Sequence, residues 1–139
     1  MDKVFVDTDI ILDLLSDRQP FYPYSAALFS AADLGIIEVF VSSLSFSNLN
    51  YILSRQYSPE QARKKLLKFK TLVTVLSVTD KVVELSLSSD FKDFEDATQY
   101  YCAIENAIPI LLTRNLKDYK AAEIPIMTAE QYLKANKTI

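Results

Sequence analysis

Apolar positions along the chain alternate between short runs and sets with helical spacing. Residues 3–6 form a compact apolar run that Asp7 ends, which predicts a first strand. Ile10, Ile11, Leu14 and Leu15 then recur at helical spacing, with Thr8 or Asp9 as the expected N-cap. A second helix is predicted over 24–34, after Pro20 and Pro23, with Gly35 suited to its C-terminal cap. Residues 36–42 read as the second strand, and 44–53 as a helix capped by Ser42, Ser43 or Ser45. Ser58-Pro59-Glu60 is a helix start: a serine cap, proline at the first position, then an acid in the first turn. That helix runs to about Lys70.

Further on, 72–78 reads as a third strand, 81–87 as a helix and 94–106 as another, after a break near Ser88-Ser89-Asp90. Residues 108–112 and 124–127 complete the strands, and Thr128 caps a closing helix to Ala135. Strands alternating with helices predict an α/β fold in three layers, a central and mostly parallel sheet between helices. No repeat, low-complexity segment or linker interrupts the pattern, so one domain over residues 1–139 is expected.

Composition removes whole classes of chemistry. Half the residues are apolar and 24% are charged, an ordinary globular balance. Glycine occurs once, at Gly35, which excludes glycine-rich phosphate loops and dinucleotide fingerprints. With no histidine, there is no catalytic triad, histidine base or histidine-held zinc. Cys102 stands alone and reads as a buried structural thiol. Hydrolytic chemistry must therefore run on carboxylates, amides and hydroxyls, which suits oxygen-ligated Mg²⁺ or Mn²⁺. The net charge of −3 gives no global attraction to nucleic acid, so RNA would need a local basic patch or a metal. The opening residues are too polar for a signal peptide and no apolar run is of membrane length, so a cytoplasmic location is expected.

Ligand sites in open α/β sheets form at the carboxyl ends of strands. Asp7 stands there after the first strand, and Asn115 and Asp118 follow the fourth. Asp93, Glu95 and Asp96 open the helix before it, and Asn48 lies on the helix after the second. Each has a plainer reading. Asp7 can cap a helix, and Asp93 and Glu95 suit the macrodipole of a first turn. Asn115 and Asp118 can form an Asx turn, whereas Asn48 is a poor choice mid-helix and points to a side-chain role.

These residues, in this order, resemble the PIN-domain family of metal-dependent ribonucleases, found in toxins of bacterial toxin–antitoxin pairs. Val6-Asp7-Thr8-Asp9-Ile10-Ile11-Leu12-Asp13 is similar to the family's opening, and Ser42-Ser43-Leu44-Ser45-Phe46-Ser47-Asn48 to its second motif. Asp93-Phe94-Glu95-Asp96-Ala97 is similar to the third, and Leu112-Thr113-Arg114-Asn115-Leu116-Lys117-Asp118-Tyr119 to the fourth. The resemblance implies that Asp7 and Asp96 hold Mg²⁺ or Mn²⁺, directly or through water. Asn48, Asn115 and Asp118 would complete the catalytic set, and Thr8, Arg114 and Lys117 would meet the RNA. It also implies an antitoxin as protein partner and a homodimer, with Phe21, Tyr22, Tyr24, Phe40, Phe46, Tyr51 and Tyr57 as candidate interface aromatics. The basic residues Arg63, Lys64, Lys65, Lys68 and Lys70 read as a solvated helix face.

Two positions depart from the family. It commonly has glutamate where Asn48 stands and often aspartate where Asn115 stands, and each exchange removes a negative charge. A non-catalytic PIN domain that binds RNA or a protein is therefore one alternative. Another is a haloacid-dehalogenase-like phosphatase, since Asp7-Thr8-Asp9 also fits an Asp-x-Asp motif. Against the latter, Ile11 stands where that family has threonine or valine, and its glycine-rich context is missing.

Overall fold

A computed structural model describes residues 1–136. Five parallel strands form its sheet: β1 (Asp2–Val6), β2 (Ile37–Ser42), β3 (Thr74–Leu76), β4 (Leu111–Leu112) and β5 (Ile126–Met127). Their order is β3-β2-β1-β4-β5, with Val4 opposite Val39 and Val6 opposite Leu112. The helices are α1 (Thr8–Leu15), α2 (Tyr22–Asp33), α3 (Ser43–Gln56), α4 (Pro59–Lys70), α5 (Asp80–Leu87), α6 (Phe94–Glu105) and α7 (Ala129–Ala135). A 3-10 turn, Leu116–Tyr119, lies between β4 and β5.

The apolar run of β1 follows from burial on both faces, as the centre of a parallel sheet requires. Val4 and Val6 join a core with Val39, Val41 and Leu112, covered by residues of α1 to α4 and α7. Phe5 points the other way, into a second core with Phe40, Leu111, Val82, Tyr100 and Ala103. Each such side chain, fully buried, stabilises by about 1.5–3 kcal/mol. Cys102 lies in this second core, and burial pushes its thiol up to about 11, as befits a structural residue.

Capping explains most boundaries. Ser42, Ser58, Thr79 and Thr128 each accept from a backbone N–H three residues on, the last within a reciprocal capping box with Gln131. The first helix is capped not by Thr8 or Asp9 but by Asp7, in keeping with that residue's plainer reading; its carboxylate accepts from Thr8 N at 2.7 Å. Gly35, at φ +74°, closes α2 as predicted: its N–H bonds Ala32 O while Ile36 N–H bonds Ala31 O.

The third, fourth and fifth strands are shorter than the apolar runs that predicted them. Leu72 and Val73 N–H groups bond back into the last turn of α4. Ile108 N–H bonds Ala103 O at the end of α6, and Pro109 has no N–H to give. Leu72, Val73 and Ile108 are apolar because they pack on the cores, not because they pair.

The chain winds from β1 outward to β3, then returns to add β4 and β5 on the other side of β1. The β1/β4 junction is the switch point where such folds place their ligands. No helix of the described residues is long and apolar enough to cross a membrane.

Candidate active site

The switch point is built around Asp7. As the residue that ends β1 and caps α1, it is held at the meeting of two elements and is only 5% exposed. Its Oδ1 accepts from Thr8 N, and its Oδ2 accepts from Thr113 Oγ1 at 2.9 Å and Tyr119 OH at 3.1 Å. Thr113 directly follows β4, and its N–H bonds Met127 O, so the donor is fixed by the sheet. Burial and the neighbouring Asp9 push the Asp7 carboxyl up to about 6, against the opposing pull of these hydrogen bonds.

Asp9 organises the loop after β4. Its Oδ2 accepts from Arg114 N and from Asn115 Nδ2, both at 3.2 Å, while its buried Oδ1 has no protein partner among the described residues. Arg114 in turn donates from Nε to Asp13 Oδ2 at 2.8 Å and packs over the Phe21 ring at 4.2 Å. Asp13 is 1% exposed, so this is a buried carboxylate satisfied on one oxygen by one arginine.

Helix α6 supplies the opposing acids. Asp93 caps it, accepting from Asp96 N at 3.0 Å, which orients the first turn. Asp96 is half-buried, and its carboxyl is pushed up to about 7, by burial first and then by Asp7, Asp93, Asp118 and Glu95. Glu95 is also raised, by burial and by Asp7 and Asp93, with the nearby Asn48 amide offsetting part of the shift. Asp96, Lys117 and Asp118 line one groove of about 360 Å³, together with Lys92 and Lys120.

The expected residues are thus brought to one end of the sheet, but not into one layer. Asp7 and Asp118 both stand near enough to Asp96 to raise it, with Asn48 beside Glu95 at the edge of this set. Asn115 reaches that set through Asp9. Lys117 stands on the groove, while Arg114 is engaged by Asp13. Thr8 faces inward: its hydroxyl lies 2.7 Å from Ser45 Oγ and accepts from Gln99 Nε2 at 3.0 Å. Of the basic face on α4, Lys64 pairs with Glu60 and Lys65 lies over the Tyr57 ring.

The sequence assigns no site role to Asp13, Thr113 and Tyr119, although they lie in the first and fourth motifs, and Gln99 lies outside all four. Thr113 carried the same signal as Asp7, a polar residue directly after an apolar strand. Gln99 carried a weaker one, an amide within the otherwise apolar face of α6.

Among the described residues, no three carboxylates close on one point as a finished metal cage. The donor chemistry nonetheless fits a divalent cation. Burial and four neighbouring carboxylates raise Asp96, and Asp9 keeps an orphaned oxygen. Two carboxylates with water completing the shell is an ordinary arrangement for Mg²⁺.

A sequence model of the PIN domain matches residues 3–117. The chain is 27% identical to ribonuclease VapC1 of Aquifex aeolicus over 139 residues, spanning 94% of this chain and 93% of that protein. Its fold matches the VapBC2 complex of Rickettsia felis, solved on a DNA fragment from the promoter. The TM-score is 0.68 at 19% identity, over 90% of this chain and 96% of that one. It also matches VapC20 of Mycobacterium tuberculosis, described as a sarcin-ricin loop cleaving toxin. There the TM-score is 0.62 at 20% identity, over 78% and 86% of the two chains. With the carboxylates at the β1/β4 switch point and the match over residues 3–117, the chain belongs to the PIN-domain family.

Proposed function

We propose that this protein is a metal-dependent endoribonuclease, the toxin of a toxin–antitoxin pair, acting in the cytoplasm. The observation that carries the reading is the Asp7–Asp96 pair, one at the carboxyl end of β1 and the other in the first turn of α6, both raised by burial and by like charge. Similarity to a protein named as a ribonuclease over nearly the whole of both chains supports it. The phosphatase alternative is not retained, because the PIN-domain match spans residues 3–117 and so includes Asp7-Thr8-Asp9.

Asp7 and Asp96 would hold Mg²⁺ or Mn²⁺, with Asp118 and Asn115 beside them. The bound ion would polarise the scissile phosphate and lower the pKa of an attacking water. Thr113 and Tyr119 keep Asp7 from rotating, and both donate to the same oxygen, which leaves lone-pair capacity on the carboxylate. Lys117, with Lys92 and Lys120 on the same groove, meets RNA phosphates as a local basic rim on an acidic protein. Arg114 shapes that rim from its fixed place on Asp13 and Phe21. Asn48 does not leave the second motif without charge nearby, because Glu95 stands beside it. That favours the catalytic reading over a binding-only PIN domain.

An antitoxin segment would cover this groove and place a cation among the carboxylates. The exposed aromatics Phe21, Tyr51 and Tyr57 would serve contacts with that partner or with a second copy of the chain. The deciding assay is cleavage of labelled RNA by purified protein with Mg²⁺ or Mn²⁺. Cleavage should stop with a chelator, and Asp7→Asn and Asp96→Asn should each reduce it by about a hundredfold or more, the scale for losing a preorganised electrostatic contact. Metal-independent cleavage, or full activity in both variants, would overturn the reading.

A further inference from the structure

Three buried polar side chains meet where α1, α3 and α6 converge. Thr8 Oγ1 and Ser45 Oγ lie 2.7 Å apart, and Gln99 Nε2 donates to both at 3.0 Å. Ser45 and Gln99 are fully buried and Thr8 is 8% exposed. The contacts join residues 37, 54 and 91 positions apart in sequence, so they hold tertiary structure and not a local turn.

Each member stands one step from a different residue of the proposed catalytic set. Thr8 adjoins Asp7. Ser45 lies one helical turn before Asn48 on α3, and Gln99 one turn after Asp96 on α6, spacings that share a helix face. Three elements carrying three site residues are thus tied directly below the rim.

Packing alone does not account for this arrangement. The Gln99 Oε1 atom is buried and has no partner among the described residues, a cost that an apolar side chain of similar length would not carry. Thr8 and Ser45 could likewise be apolar in a site this dry. A polar cluster with one unmet acceptor, cross-linking these three helices beside the carboxylates, is suited to fixing geometry.

We infer that Gln99, with Thr8 and Ser45, is a positioning device that sets the spacing of Asp7, Asn48 and Asp96. Thr8 then acts through Asp7 and not by touching RNA. The inference rests on the proposed metal-dependent nuclease for its purpose, but its geometry does not depend on a metal.

The test uses Gln99→Met, which keeps length and removes the hydrogen bonds, and Ser45→Ala as a milder second variant. Three readouts are taken on the full chain: melting temperature without metal, Mn²⁺ affinity by calorimetry, and metal-free crystal structures. Gln99→Met is expected to melt at or above the wild-type temperature. Its rim should widen between Asp7 and Asp96, and Mn²⁺ should bind about tenfold or more weakly, the range for losing a residue that orients metal ligands. Ser45→Ala should shift affinity in the same direction by less. A Gln99→Met rim superimposing on wild type, or a variant that only loses stability while Mn²⁺ affinity holds, overturns the inference. If wild-type protein binds no Mn²⁺ while the variant rim still opens, the positioning role stands and the nuclease reading falls.

Discussion

Asp7 and Asp96 have ordinary carboxyl values near 3.8 when exposed, and the fold raises them to about 6 and about 7. A raised carboxyl means that the folded chain keeps a proton the unfolded chain has released, so stability is lost as pH climbs through that interval. Metal-free protein should therefore melt at a lower temperature near pH 8 than near pH 5, where other groups still hold the fold. Added Mn²⁺ should flatten the decline, because it binds the ionised form. Thermal melts in chelator across that range check this; a metal-free melting temperature that rises with pH would show that these carboxyls are not strained by burial. Arg114 illustrates a different constraint. Its guanidinium satisfies the nearly inaccessible Asp13, so its removal would strand a buried charge and confuse any test of RNA contact. Lys117, exposed on the groove, is the cleaner probe. Asp7 and Asp96 were legible in the sequence because they abut a strand and a helix start. The Asp13–Arg114 pair and the Thr8–Ser45–Gln99 cluster were not, since both join residues dozens of positions apart and no local pattern encodes them.

Helices were read more closely than strands, for a physical reason. A cap is a local event, written in serine or threonine and the residues that follow, as at Ser58 and Thr128. Strand length is set by a partner elsewhere, so the apolar runs at 72–78 and 108–112 overstated β3 and β4. Two helix ends make a matched comparison. Gly35 closes α2 at φ +74°, and Ala107 closes α6 at φ +55° with the same pair of bonds, from Ala107 N to Ile104 O and Ile108 N to Ala103 O. An L residue in this region costs roughly 1–2 kcal/mol, which glycine avoids at some cost in chain entropy. Gly35→Ala should destabilise by about 1 kcal/mol, through φ alone, because an added Cβ there meets nothing within 4 Å. Ala107→Gly should stabilise by about 0.5–1 kcal/mol. Denaturant unfolding of both variants decides the point; shifts of the same sign would show that the two caps are not equivalent.

At the scale of the whole molecule, the order β3-β2-β1-β4-β5 is what brings residues 7, 96 and 113–119 to one end of the sheet. The alternation of runs implied a parallel α/β fold, but only the return of the chain past β1 explains why the site sits between β1 and β4. The aromatics divide by the same logic. Phe40 lies in the core and Phe46 packs against Phe69, whereas Tyr51 is 64% exposed on α3. An exposed set of this kind is expected to close a homodimer, so light scattering at tens of micromolar should return twice the chain mass, and a monodisperse monomer would count against that assembly.

Whether Asp7 and Asp96 share a divalent cation is measured directly by anomalous scattering from a crystal soaked in Mn²⁺. The expected result is an ion bonded to both carboxylates, directly or through a single water, with Asp118 and Asn115 adjacent. An ion bound elsewhere, with these two carboxylates bare, would contradict it.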